Sequence, residues 1–246
     1  MLPFFLYTQP AAARALVDFR VQSLPGAQRT AARYKYAGAR YAWTSDDKGD
    51  ECCGPWVFKD HQVHVTADVA YAIMQYWQVT GDDGFMRDYG AEIILDTARF
   101  WADRAEREEV DGRHRYSFRD VIGPDEYHDH VDNNIYTNRM AQWHLQTALE
   151  LLTWLDGLYP AHARALRDKL ELDDACLQHW RDVIDHIVIH HDPATGLLLQ
   201  FEGFFDLKRI DPAVIAQTER SMQVVLGIEG ANASQVIKQA DVIMLL

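Results

Sequence analysis

Apolar residues recur at three- and four-residue spacing through most of the chain, the period of amphipathic helices rather than the alternation of strands. Pro10, following Thr8-Gln9, is placed to open a helix that runs through Leu16 and Phe19 and stops near Pro25-Gly26, with a shorter helix from about Ala27 to Tyr36. Val65 to Gln78 sets Val69, Ala72, Ile73, Tyr76 and Trp77 on one stripe, with Gly81 just past its end. Ala91 to Arg107 repeats Ala91, Ile94, Leu95, Ala98, Trp101 and Ala102, but its other face is crowded with Asp, Glu and Arg and is expected to see water. From about Asn134 to Leu155 the pattern is again nearly uncharged, and two one-sided, charged helices follow over residues 161–171 and 173–190. Ser234 is placed to cap a last helix, Gln235–Leu246. Trp77, Trp101, Trp143, Trp154 and Trp180 fall at helical spacing and read as core.

Helices buried nearly all round alternate here with helices wet on one face, as a double-layered, all-α barrel requires of its inner and outer rings. Short β-capable pieces interrupt the pattern around Val110–Phe118, with an Asp111-Gly112 turn, and around Leu197–Phe205. They read as hairpins on the rim. Residues 1–246 form a single domain in this reading, and the abrupt apolar ends read as a segment cut from a longer polypeptide.

Composition narrows the chemistry. The 246 residues are 48% hydrophobic and carry 24 Lys+Arg against 37 Asp+Glu, a formal charge of −13 that repels nucleic acid and anionic lipid, so a neutral or polar small molecule is the fitting partner. Cys52, Cys53 and Cys176 are too few for a disulfide framework or a zinc site, and with no basic leader the expected location is cytoplasmic. No organic cofactor is implied.

One stretch, Arg119 to Asn134, exceeds all others in polar density. Gly123-Pro124 forces a turn that projects Asp125, Glu126, Tyr127 and His128 from a loop, where a catalytic group has to stand. Asp120, Asp125, Glu126 and Asp129 lie close enough in sequence that repulsion and partial burial should raise at least one carboxyl pKa, the property of a general acid. Three readings fit: Asp132, Asn133 or Asn134 capping the next helix with the acids solvated; a metal bound by His128 and His130; or a general acid for glycosidic cleavage. Elsewhere Trp43 and Trp56 flank Glu51 in a loop suited to stacking on and bonding a pyranose, and His61 and His64 read as core or capping histidines.

Leu2-Pro3-Phe4-Phe5-Leu6-Tyr7-Thr8-Gln9-Pro10, Gly38-Ala39-Arg40-Tyr41-Ala42-Trp43, Gly123-Pro124-Asp125-Glu126-Tyr127-His128 through Asp132-Asn133-Asn134-Ile135-Tyr136-Thr137-Asn138, and Gln235-Val236-Ile237-Lys238-Gln239-Ala240-Asp241-Val242 together resemble glycoside hydrolase family 65. The resemblance implies an (α/α)6 barrel, here incomplete at both ends. It also implies inverting phosphorolysis of an α-glucosidic disaccharide, with inorganic phosphate as co-substrate. Glu126 matches the general acid, and Lys238 and Gln239 match positions that contact the glucosyl unit. Trp43, Glu51, Asp125, Tyr127, His128 and Asn134 join them as candidate substrate contacts. Family members carry a Trp-Asp-Thr-Glu type sugar-binding segment and a Ser/His phosphate loop beyond the matched region, so this polypeptide alone is expected to be weakly active or inactive. A hydrolytic relative and a non-catalytic fragment with residual sugar binding stay open. The resemblance is compatible with a homodimer of the full-length parent.

Overall fold

The computed structural model describes residues 2–55, 57–216 and 219–245. Among these residues eleven helices dominate: α1 Leu2–Thr8, α2 Pro10–Arg33, α3 Phe58–His61, α4 Val65–Thr80, α5 Asp83–Phe85, α6 Ala91–Arg104, α7 Ile135–Leu158, α8 Pro160–Leu170, α9 Asp174–His186, α10 Pro212–Ala216 and α11 Met222–Asn232. Two antiparallel strands, β1 Glu106–Val110 and β2 Arg113–Ser117, form a hairpin in which Val110 pairs with Arg113 across Asp111-Gly112. Both turn residues have positive φ, the requirement of a tight two-residue turn. No helix among the described residues is long and apolar enough to cross a membrane.

The core is built around α6, which packs on α4, α7, α8 and α9. Ile93, Ile94, Leu95, Phe100 and Trp101 are fully buried. The wet face expected of this helix is largely closed, with Asp103 left exposed. Asp96 is buried, held by Arg99 at 3.0 Å and by Gln28 Nε2 at 2.8 Å, and Glu92 is paired with Lys169 at 2.6 Å. Charges satisfied by partners can be enclosed, and periodicity alone does not reveal those partners. Inside α7, His144 is completely buried. Trp101 Nε1 can only donate, at 3.1 Å to His144 Nδ1, so the ring proton sits on Nε2 and is donated to the Ile94 carbonyl at 3.0 Å.

Four further expectations change. Pro25-Gly26 does not end a helix, because α2 continues through it to Arg33 with Leu24, Gly26, Ala27 and Ala31 buried, so tertiary packing overrides the local break. Gln235–Leu246 is not a helix: its described part is irregular up to a 3-10 turn at Ile243–Leu245, and Leu246 lies outside the described residues. Leu197–Phe205 contributes only an isolated bridge, His191 to Leu198, and a 3-10 turn at Phe204–Asp206. The helix from Ala91 stops at Arg104, so that β1 starts at Glu106. Of the tryptophans, Trp101 and Trp180 are fully buried, whereas Trp77 and Trp154 are half-buried and meet edge-on, as Trp143 meets Tyr71.

Candidate active site

The polar loop before α7 is closed by a backbone bridge between Val121 and Val131, at 2.9 Å in both directions. Asn134 caps α7, its side-chain oxygen accepting the Thr137 N–H at 3.0 Å, so the capping reading holds for that residue. Every residue from Val121 to His128 is buried except Glu126, whose side chain is 23% exposed. Lys238 Nζ donates to Glu126 Oε2.

Beneath Glu126 lies Asp125, 2% exposed. Its Oδ1 accepts the backbone N–H groups of Lys238 at 2.8 Å, Tyr127 at 3.3 Å and Gln239 at 3.4 Å. Its Oδ2 accepts from His128 Nδ1 at 2.8 Å and Gln200 Nε2 at 2.9 Å. His128 donates from its other nitrogen to the Ser234 carbonyl at 2.8 Å. The backbone N–H of Asp125 donates in turn to Asp241 Oδ1 at 2.9 Å, and Asn134 Nδ2 donates to Asp241 Oδ2 at 2.6 Å. Charge-assisted bonds of this density fix both the loop and the segment carrying Lys238. Asp125, Tyr127, His128 and Asn134 thus have their polar atoms engaged inside the protein; the Tyr127 hydroxyl accepts the Met222 N–H at 3.1 Å.

The raised carboxyl lies outside the acidic loop. Burial lifts Asp241 to about 6, with the Asp125 carboxylate pushing the same way against the Asn134 hydrogen bond. Asp120 moves oppositely to expectation: burial raises it, but the His130 hydrogen bond and the charges of His61, His130 and Arg104 bring it below its ordinary value. His128 and His130 do not share a metal set, since His128 faces inward to Asp125 while His130 Nδ1 meets Asp120 at 2.6 Å.

An aromatic wall is formed by Trp43, 37% exposed, whose ring lies 6.3 Å from that of His64. His64 Nδ1 bonds Asp68 at 2.8 Å, and Tyr136 donates to the other oxygen of Asp68 at 2.8 Å. This wall is tied to the acid loop through Gln62 Nε2 to the Gly123 carbonyl at 3.2 Å and the Ile122 N–H to the His61 carbonyl at 3.0 Å. Glu51 is spent on its own loop, accepting the N–H groups of Trp43 and Cys53 at 2.8 Å and of Thr44 at 3.3 Å. Trp56 lies outside the described residues. Two buried polar atoms here, Gln239 Oε1 and His64 Nε2, have no partner among the described residues, and such atoms call for a ligand or water. A groove of about 580 Å³ lies elsewhere, against Tyr71, Met140, Trp143 and Leu245; it is mostly apolar and does not include Glu126.

Sequence reasoning did not single out Gln200 or Asp241 as site residues. Asp241 stood only within a supposed helix and a family motif, with no role assigned, and Gln200 has no local pattern around it; both matter through contacts 75 to 116 residues distant in sequence.

An acid loop of this kind, beside a lysine and an aromatic wall, suits carbohydrate chemistry, and the comparisons agree. The chain belongs to glycosyl hydrolase family 65: the family model described as "Glycosyl hydrolase family 65 central catalytic domain" matches residues 1–246. It is 41% identical to the kojibiose phosphorylase of Thermoanaerobacter brockii, over all of this chain and 33% of that protein. It is 36% identical to the nigerose phosphorylase of Lachnoclostridium phytofermentans, over 100% of this chain and 34% of the relative. A solved structure, "Putative kojibiose phosphorylase from human microbiome", superposes with a TM-score of 0.87 at 29% identity, covering 99% of this chain and 35% of the other. The chain spans about a third of the length of the curated relatives it matches.

Proposed function

We propose that residues 1–246 form one unit of an (α/α)6 barrel and carry the acid wall of an inverting disaccharide phosphorylase. The supporting observation is the emergence of Glu126, alone in a buried loop, against Lys238 on a segment that Asp125 ties to the same loop. Glu126 protonates the glycosidic oxygen of an α-glucoside as the bond to the anomeric carbon breaks. Inorganic phosphate, already an anionic nucleophile, attacks that carbon from the opposite face, so no protein base is required and the products are β-glucose 1-phosphate and a free acceptor sugar. Lys238 and Gln239 hold the glucosyl unit, the unpartnered Gln239 Oε1 and His64 Nε2 offering bonds to hydroxyls, and Trp43 offers an apolar face. Asp125, Tyr127, His128 and Asn134 act as positioning residues beneath them, and Glu51 keeps Trp43 in place.

The names of the relatives favour phosphorolysis over hydrolysis. The test is release of glucose 1-phosphate from kojibiose, nigerose and trehalose by the gene's full product. Glu126→Gln should lower turnover by about 10²–10⁴-fold, the usual contribution of a general acid. Unchanged turnover removes Glu126 from the mechanism, and glucose release independent of phosphate replaces phosphorolysis by hydrolysis.

A further inference from the structure

Away from the acid loop, three side chains of metal-ligating type converge where the hairpin meets α9. His114 projects from β2, and Asp182 and His186 stand one turn apart on α9, so the helix repeat puts them on one face. His114 Nε2 and His186 Nδ1 each lie 3.0 Å from the same oxygen, Asp182 Oδ1, and His186 Nδ1 also meets the Asp182 backbone carbonyl at 2.9 Å. One ligand atom from each residue falls within 4.8 Å of the others. A small ion bound at about 2.0–2.2 Å to nitrogen and oxygen needs donor separations of about 3.0–3.4 Å, close to the two nitrogen–oxygen distances here, and binding it exchanges the His186 Nδ1 proton and its bond to the Asp182 carbonyl for the metal. We propose that His114, Asp182 and His186 form a binding site for a divalent transition metal of the zinc class.

Three further features distinguish the site from a chance histidine pair. Tyr116 donates its hydroxyl to Asp182 Oδ2 at 2.7 Å, which fixes the carboxylate plane and leaves Oδ1 as the single ligating oxygen, the outer-shell support seen around bound metals. The elements are locked to each other through the Val188 N–H, which donates to the Tyr116 carbonyl at 2.9 Å. The two imidazole rings lie close, with centroids 4.1 Å apart and planes tilted by 44°, so both nitrogens converge on one carboxylate oxygen.

Two nitrogens and one oxygen suit zinc, nickel or copper rather than magnesium or calcium, which prefer all-oxygen sets. The side chains are 31, 33 and 40% exposed, and His114 and His186 border a groove of about 600 Å³ with Asp111, Arg113 and His190, so an ion has a route in and water can complete the coordination. The net charge of −13 draws cations toward the surface. A comparable cluster, His61, Asp120 and His130, lacks this support: its ligands are on loops or at the end of the four-residue α3, and Asp120 and His130 are 59 and 53% exposed.

The test is calorimetric titration of chelator-treated protein with ZnCl2, with Co²⁺ absorption as a coordination probe. The expected result is one ion per chain, a Co²⁺ spectrum of nitrogen–oxygen ligation, and displacement of the His114 and His186 ring signals in NMR of the wild type. Asp182→Asn and His186→Gln should each weaken zinc binding at least tenfold, and Tyr116→Phe about tenfold through loss of the orienting bond. Circular dichroism identifies any variant that has lost its fold, in which case the wild-type NMR result decides. Absence of binding overturns the proposal, as does binding that survives His114→Gln and His186→Gln but is lost in His130→Gln.

Discussion

The carboxylate of Asp125 and the backbone of Lys238, 113 residues apart in sequence, are joined by a 2.8 Å hydrogen bond. Glu126 follows Asp125 directly, so one buried side chain sets the distance between the candidate acid and the candidate sugar-binding lysine. A rigid support of this kind is what a proton donor needs, because small displacements at a reacting centre lose much of the benefit of orientation.

Asp125→Asn should therefore destabilise the protein by about 3 kcal/mol. Five N–H groups converge on the carboxylate, and an amide would present its own NH2 to some of them and leave His128 without its charged acceptor. Urea denaturation measures this directly. A loss below about 0.5 kcal/mol would show that the network contributes nothing net.

Gly123→Ala tests the same scaffold sterically. A Cβ at Gly123 would lie 2.3 Å from both Asn134 Nδ2 and Asp241 Oδ2, the two atoms whose bond closes the site from below. Glycine is needed here for close approach, and overpacking by one methyl in such a place destabilises by about 1–3 kcal/mol. The expected readout is a matching fall in thermal stability.

The helices were legible in the sequence because burial imposes a local period, and the acid loop because Gly123-Pro124 and its polar density are local too. What escaped was non-local. Pro25-Gly26 reads as a break until α2 is seen to pack along its length, and Val242 to Leu245 reads as helix until Asp241 is found fully buried against Asp125 and Asn134. The charges of α6 looked solvated because Lys169 and Gln28, their partners, sit on other helices. A contact 116 residues long, such as Asp125 to Asp241, leaves no trace in a window of about eighteen.

Acid stability should carry two opposed contributions. Asp241 titrates at about 6 in the folded state and at about 3.9 unfolded, so its stabilising contribution is complete below about pH 4 and lost as pH rises through about 6. His144 goes the other way: burial, against the Ile94 hydrogen bond, lowers it to about 4 from about 6.5, so its contribution is present above about 6.5 and lost as pH falls through about 4. Each supplies a slope approaching about 1.4 kcal/mol per pH unit, with opposite sign, between about pH 4 and 6. Relative to wild type, Asp241→Asn should make stability rise more steeply with pH in that window, and His144→Gln should make it fall. Denaturation at about pH 4, 5 and 6 resolves the two, and identical slopes in all three proteins would refute the assignment.

Gly26 reverses an ordinary rule. Glycine inside a helix is usually improved by alanine, by about 0.5–1 kcal/mol, because the unfolded chain loses freedom. Gly157 near the end of α7 has nothing within 4 Å of the position a methyl would take, and should follow that rule. At Gly26 the methyl would fall 2.3 Å from the Gly49 carbonyl carbon and 2.5 Å from the Lys48 oxygen, because the loop bearing Trp43 and Glu51 lies directly on α2 there. The loop has few alternatives: Gly49 has a φ of +83°, Asp50 is held by Arg29, and Asp46 Oδ1 accepts two loop N–H groups at 2.9 Å. Gly26→Ala should thus lose about 2 kcal/mol while Gly157→Ala gains, and the loop should lift. Trypsin cleavage at the exposed Lys48, followed by mass spectrometry, reads the lifting: at least tenfold faster in Gly26→Ala, unchanged in Gly157→Ala. Equal cleavage in both would mean that the loop is held by Glu51, Asp46 and the Arg29–Asp50 pair, and that the close approach at Gly26 is dispensable.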